Sequence, residues 1–204
     1  MLPPHAPPSF SDRSTLWNSV EQTEKSNNSQ LAREIELALP VELSREEQTR
    51  LVREYCSSQF VSKGMCADFN IHDTGSGNPH AHILLTMRPL DEKGAWAAKS
   101  KKEYVLDESG EKILLPSGRY KTRKIDLMDW NRQENADLWR KAWADMANDF
   151  LEQNGSAERI DHRSNAERGI DEIPTVHMGV AACQMEKKGI ATEKGELNRN
   201  IQKA

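Results

Sequence analysis

No apolar run in this 204-residue chain approaches the roughly 20 residues that crossing a bilayer takes. The first ten residues, MLPPHAPPSF, lack the basic start and apolar centre of a secretory signal, so the chain reads as cytoplasmic. Cysteine is scarce: Cys56, Cys66 and Cys183 are odd in number and form no CxxC pair. That excludes a disulfide framework and a thiolate zinc site, and reduced thiols fit the cytosol. A basic excess is missing too, because 28 Lys and Arg face 32 Asp and Glu for a net charge of −4. A uniformly basic nucleic-acid binder is thereby excluded. Mean hydropathy is −0.79 with 29 % charged residues, polar for a compact protein, which leaves room for exposed helices and loose ends. The length suffices for one large domain or a domain with an appendage.

What is present is concentrated. Three of the six histidines fall within eleven positions, in the string HDTGSGNPHAH over residues 72–82. Residues two apart on a strand share a face, so an extended HAHILLTM places His80 and His82 side by side. CADFNIH, residues 66–72, also reads as a strand, and the turn formers of DTGSGNP between the two predict a hairpin that adds His72. Three neutral imidazoles bind a divalent metal and leave positions open for water or a phosphate oxygen. His5, His162 and His177 read individually as surface or structural residues.

The remaining pattern predicts an α+β chain. Residues 1–10 form an extended, proline-rich lead-in, and Ser11 or Asp12 opens a helix to about residue 25 with Leu16, Trp17 and Val20 on its apolar face. QLAREIELAL, residues 30–39, alternates as a strand with one charged face and stops at Pro40. Ser44 and Glu47 make a capping box for a helix to about residue 61. After the histidine hairpin comes a polar β-excursion at residues 88–125, with small strands expected at 103–106, 111–115 and 119–121. Asp126 or Asp129 caps a long helix to about residue 153, whose Leu138, Trp139, Ala142, Trp143, Met146, Ala147, Phe150 and Leu151 form an apolar stripe. The order implies an antiparallel β-sheet covered by helices on one face.

Charge is uneven along this pattern. Residues 88–124 hold ten Lys and Arg against six acids, so that segment is +4 within a chain of −4. A solvated loop with scattered lysines fits this, and so does a single-strand contact surface in which Trp96, Tyr104 and Tyr120 stack between bases and cations meet phosphates. On the second reading the DNA-binding candidates are Lys99, Lys101, Lys102, Arg119, Lys121, Arg123 and Lys124.

Several blocks together resemble one family. REIELALPVEL at 33–43, Ile71-His72 with NPHAH at 78–82, WRKAWADMAN at 139–148, IDHR at 160–163, Gly169-Ile170 and PTVHMG at 174–179 match the MobA/MobL relaxases in order and spacing. These are plasmid mobilisation proteins that nick DNA at a transfer origin. The resemblance implies an HUH-type endonuclease fold at residues 1–190, with 191–204 a polar tail or linker. It implies a divalent metal, Mn2+ or Mg2+ with Zn2+ as the alternative, on His72, His80 and His82. Single-stranded origin DNA and accessory mobilisation proteins are the implied partners. Glu36 or Glu42 is expected near the metal or behind an imidazole, and Glu34 shares the Glu36 face without a choice among the three.

The family pattern carries its nucleophilic tyrosine, and a strand, upstream of the proline-rich lead-in. None of Tyr55, Tyr104 and Tyr120 occupies a matching position, so the attacking group is left unassigned and an unpaired sheet edge is expected. Site-specific nicking through a phosphotyrosine is the activity implied. A metal-bearing DNA-binding module that does not cut and a metal-dependent phosphohydrolase are the alternatives.

Overall fold

A computed structural model describes residues 1–73, 75 and 77–203. Two compact units divide the chain, Met1–Asp161 and His162–Ala204. The stretch at 191–204 carries the helix Glu193–Ile201.

The first unit is built on a three-stranded antiparallel sheet. Its strands are β1 (Ala32–Ala38), β2 (Ala67–His72) and β3 (His80–Thr86), in the order β1-β3-β2. Along β3, Ala81, Ile83 and Leu85 are fully buried, while His80, His82 and Leu84 point the other way. Helices α2 (Arg45–Gln59) and α3 (Glu134–Gln153) cover the buried face. Ser44 caps α2 by accepting from the Glu47 amide at 3.2 Å. The Glu47 carboxylate turns to Arg50 at 2.7 Å, so only half of the expected capping box forms. Tyr55 and Phe60 from the α2 side meet Trp143 and Trp139 of α3 edge-on, with ring centroids 5.2 and 5.3 Å apart. The expected stripe of α3 is therefore core, apart from Leu138, which is exposed.

Helix α1 (Arg13–Thr23) is capped by Asp12, which accepts from the Thr15 amide at 2.8 Å. It reaches the sheet on the β2 side, where Asp68 accepts from Arg13 Nε at 2.7 Å and Trp17 Nε1 at 2.9 Å. Leu16 of α1, Cys66 and Leu90 form a second apolar cluster, flanked by Phe10, Trp17 and Trp96. Gly94 has φ +78°, and a Cβ there would lie 2.8 Å from the His5 carbonyl, so the lead-in packs against a turn only glycine can make.

The excursion differs in register from the expected one. It is a ribbon of β4 (Ser100–Tyr104) paired with β5 (Thr122–Asp126), with isolated pairings at Leu106 with Lys112 and Leu114 with Tyr120 beyond it. Three backbone bonds close a ring where these meet: Val105 N to Lys121 O, Lys121 N to Ile113 O, and Ile113 N to Val105 O. The ribbon thereby splits into two short hairpin tips. Strand β5 takes the segment read as the approach to α3, because Thr122 and Ile125 favour extended backbone. Helix α3 consequently starts only at Glu134, and neither Asp126 nor Asp129 caps it.

In the second unit, α4 (Gly179–Lys187) and α5 (Glu193–Ile201) are joined by one carboxylate. Glu186 accepts from Arg199 at 2.7 Å and from the amide and hydroxyl of Thr192 at 2.6 and 2.9 Å. Those donors hold its pKa down at about 2. A depressed carboxylate stabilises the folded form above the ordinary Glu range and loses that contribution as pH falls through its folded value. Helix signal from the second unit should therefore fall between the ordinary Glu range and pH ~2, and Glu186→Gln should remove this acid transition in circular dichroism. In the first unit, Phe60→Ala should cost about 3–5 kcal/mol in denaturant unfolding, as a fully enclosed aromatic is lost.

Candidate metal and nucleic-acid site

The histidine site follows from the register of the β2–β3 hairpin. His72 and His80 are direct partners at its end, and His82 lies two residues further along the same face of β3. Ring centroids are 4.6 Å apart for His72 and His82, 5.1 Å for His80 and His82, and 5.5 Å for His72 and His80. One nitrogen from each ring falls within 4.8 Å of the other two. His72 is exposed and the other two are half-buried, so the cluster is open to solvent.

Two of the rings are fixed from behind. His80 Nδ1 donates to the Asn78 carbonyl at 2.9 Å, which leaves Nε2 as the nitrogen available to a ligand. His82 Nδ1 meets Glu34 Oε1 at 2.8 Å with the same result. A carboxylate or carbonyl behind a ligating imidazole fixes its tautomer and raises its basicity, so this donor set fits a divalent cation. The sheet supplies rigidity, because the alternate residues Ala81, Ile83 and Leu85 are locked in the core.

The other sequence-predicted residues are scattered. Glu36 is the direct cross-strand partner of His82 and lies exposed on the site face, yet the carboxylate that touches the imidazole is Glu34. Glu42 is exposed beyond the end of β1 with no polar partner among the described residues. Glu34 could be found only as a residue sharing the Glu36 face, since spacing does not show which long side chain leans across.

Of the basic candidates, Lys99 is engaged internally, 2.6 Å from Glu24 and 2.8 Å from the Gln30 carbonyl. Burial pushes the Glu24 pKa up, but its bonds to Arg88 and Lys99 outweigh that and leave it lowered. Lys101 and Arg123 share Glu103 at 2.8 and 3.5 Å, and Lys124 meets Asp126 at 2.8 Å. Lys102, Arg119 and Lys121 form no ion pair among the described residues. Tyr104 and Tyr120 are about half exposed, 5.8 Å apart edge to face, with the Lys112 ammonium 4.1 Å from the Tyr104 ring centre. Trp96 differs from this group, because it stacks on Phe10 at 5.4 Å and donates to Ser19 Oγ, so it is half-buried against the second apolar cluster rather than a stacking platform.

The model of the MobA/MobL family matches residues 1–188. The chain belongs to the MobA/MobL family. A probable mobilization protein MobA of Bifidobacterium longum is 35 % identical over the whole chain, and a conjugal transfer protein TraA of Agrobacterium fabrum is 39 % identical over 85 % of it. The chain spans 38 % of the first relative's length and 15 % of the second's. A solved structure described as the molecular basis of vancomycin resistance transfer in Staphylococcus aureus aligns over 80 % of the chain and 73 % of its own, at 34 % identity and TM-score 0.65.

Within this MobA/MobL chain, Tyr55 is fully enclosed and donates its hydroxyl to the Trp139 carbonyl at 3.0 Å. Burial raises its pKa, so it is excluded as an attacking group. Burial likewise pushes the thiols of Cys56 and Cys66 up to about 12 and about 11, which makes both inert. No helix among the described residues is long and apolar enough to cross a membrane. Glu34→Gln should weaken Mn2+ or Zn2+ binding by roughly 10–100-fold in calorimetric titration while leaving the fold intact.

Proposed function

We propose that this chain is the metal- and DNA-holding core of a mobilisation relaxase, acting on single-stranded DNA at a transfer origin. The observation that carries the reading is the convergence of the His72, His80 and His82 rings on an open sheet face in a MobA/MobL chain. A divalent cation held there, Mn2+ or Mg2+ with Zn2+ as the alternative, supplies neutralisation of charge on the non-bridging oxygens of a phosphodiester. The residues of the chain supply the rest. Glu34 and the Asn78 carbonyl engage Nδ1 of His82 and His80 and so leave Nε2 of each ring to face a ligand, and the buried side of β3 prevents the rings from drifting apart. Lys102 of β4, with Arg119 and Lys121 just before β5, form no ion pair among the described residues and offer cations for the backbone of a bound strand, beside the exposed pair Tyr104 and Tyr120 for stacking on bases.

Strand nicking of this kind is a transesterification. A tyrosine oxygen bonds to phosphorus, the bond to the 3′ oxygen breaks, and the 5′ phosphate stays on the protein. Tyr55 cannot take this part because its hydroxyl is sealed and engaged. Accessory mobilisation proteins at the origin belong to the same reading.

Incubation with Mn2+ and a single-stranded origin oligonucleotide tests it. A salt-sensitive shift of the oligonucleotide is expected, and an adduct at a tyrosine would add cleavage to binding. Phosphatase turnover without either would overturn the reading in favour of a hydrolase. The double change His80→Ala and His82→Ala should abolish metal binding, and unchanged metal content in that variant would remove the site.

A further inference from the structure

The site face is electrically lopsided. On the β1 side of His82 stand two carboxylates, Glu36 directly opposite and Glu34 against the ring. On the β2 side the direct partner of His82 is Asn70, which also lies two residues from His72 on the same face. Asn70 is exposed, and its amide has no hydrogen-bond partner among the described residues. Two residues further along that face is Asp68, whose Oδ2 holds Arg13 by Nε alone. The Arg13 side chain is 57 % exposed, and neither of its terminal amino groups has a hydrogen-bond partner among the described residues. His72, Asn70 and the Arg13–Asp68 pair therefore form a row along β2, about 13 Å from end to end at the strand's rise per residue.

A polyanion that places one phosphate at the histidines meets repulsion over β1 and donors over β2. We propose that a bound DNA strand leaves the histidine site along β2, with one phosphate taken by the Asn70 amide and the next by the Arg13 guanidinium. Asn70 and Arg13 are then binding residues of the same site, and the direction of the strand across the sheet is set by Glu34 and Glu36 as much as by the donors. A preset guanidinium fork suits a phosphate oxygen pair, whereas a lysine at the same place would offer only a point charge. The inference rests on the reading that this face binds single-stranded DNA.

Fluorescence anisotropy with a labelled 20-nucleotide single strand, at a series of salt concentrations, tests the track. Arg13→Ala should weaken binding several-fold and flatten the log affinity against log salt slope by about 0.7, one single-strand phosphate contact. Asn70→Ala should weaken binding several-fold with the slope unchanged, because a neutral donor releases no counterion. Mn2+ affinity should stay the same in both, which a merely structural role would not predict. If Arg13→Ala fails to fold, Asn70→Ala, an exposed position, decides alone. Wild-type affinity and slope in the variants would overturn the track while leaving DNA binding intact. Failure of the unaltered chain to bind the oligonucleotide would overturn both the track and the reading beneath it.

Discussion

The register of β3 between β1 and β2 is the constraint on which the rest of this structure depends. Side chains alternate along a strand, so a slip of one residue would turn His80 and His82 into the core and push Ala81 and Ile83 into water. The apolar wall of α2 and α3 forbids that slip, since Ile83 and Leu85 are enclosed against Leu51, Tyr55 and Phe60. Burying each such side chain is worth roughly 1.5–3 kcal/mol, and several act together on one strand. Core packing on one face thus fixes the imidazoles on the other.

Hydrogen bonds then refine what packing has placed. Glu34 and the Asn78 carbonyl choose the tautomer of His82 and His80, and Asp68 anchors Arg13 and Trp17 of α1 on the same face. Arg45 caps the outer carbonyl of Ile71 at 2.8 Å, and the Met1 backbone pairs with Ala67 on that same edge of β2. These two contacts cover part of the outer edge of β2. Arg33 joins β1 to the segment before α3 by donating to the Trp130 carbonyl while stacking over Trp139. A site that is open to solvent is in this way braced by elements that themselves reach into the core.

Much of this was legible in residue pattern. The HxH pair, the turn formers between residues 72 and 80, the Asp12 and Ser44 caps and the aromatic stripe of α3 each report a local rule, and local rules are what sequence carries well. The misses share a different cause. Which carboxylate supports His82 depends on a side chain leaning diagonally across two strands. The internal engagement of Lys99 depends on Glu24, which is distant in sequence. Trp96 looked like a stacking surface because its partners Phe10 and Ser19 lie in the lead-in and α1, far along the chain. The ribbon's true register was masked by polar strands that pair without a buried face, where alternation gives no signal.

The proposed site requires three imidazole nitrogens to share one divalent ion. Pulsed electron paramagnetic resonance on the Mn2+-loaded chain reads this directly, through the couplings of histidine nitrogens to the bound metal. Nitrogen couplings from the three histidines, His72, His80 and His82, are expected, and they should disappear when those residues are replaced. A spectrum of fully hydrated Mn2+ with no nitrogen coupling would contradict it.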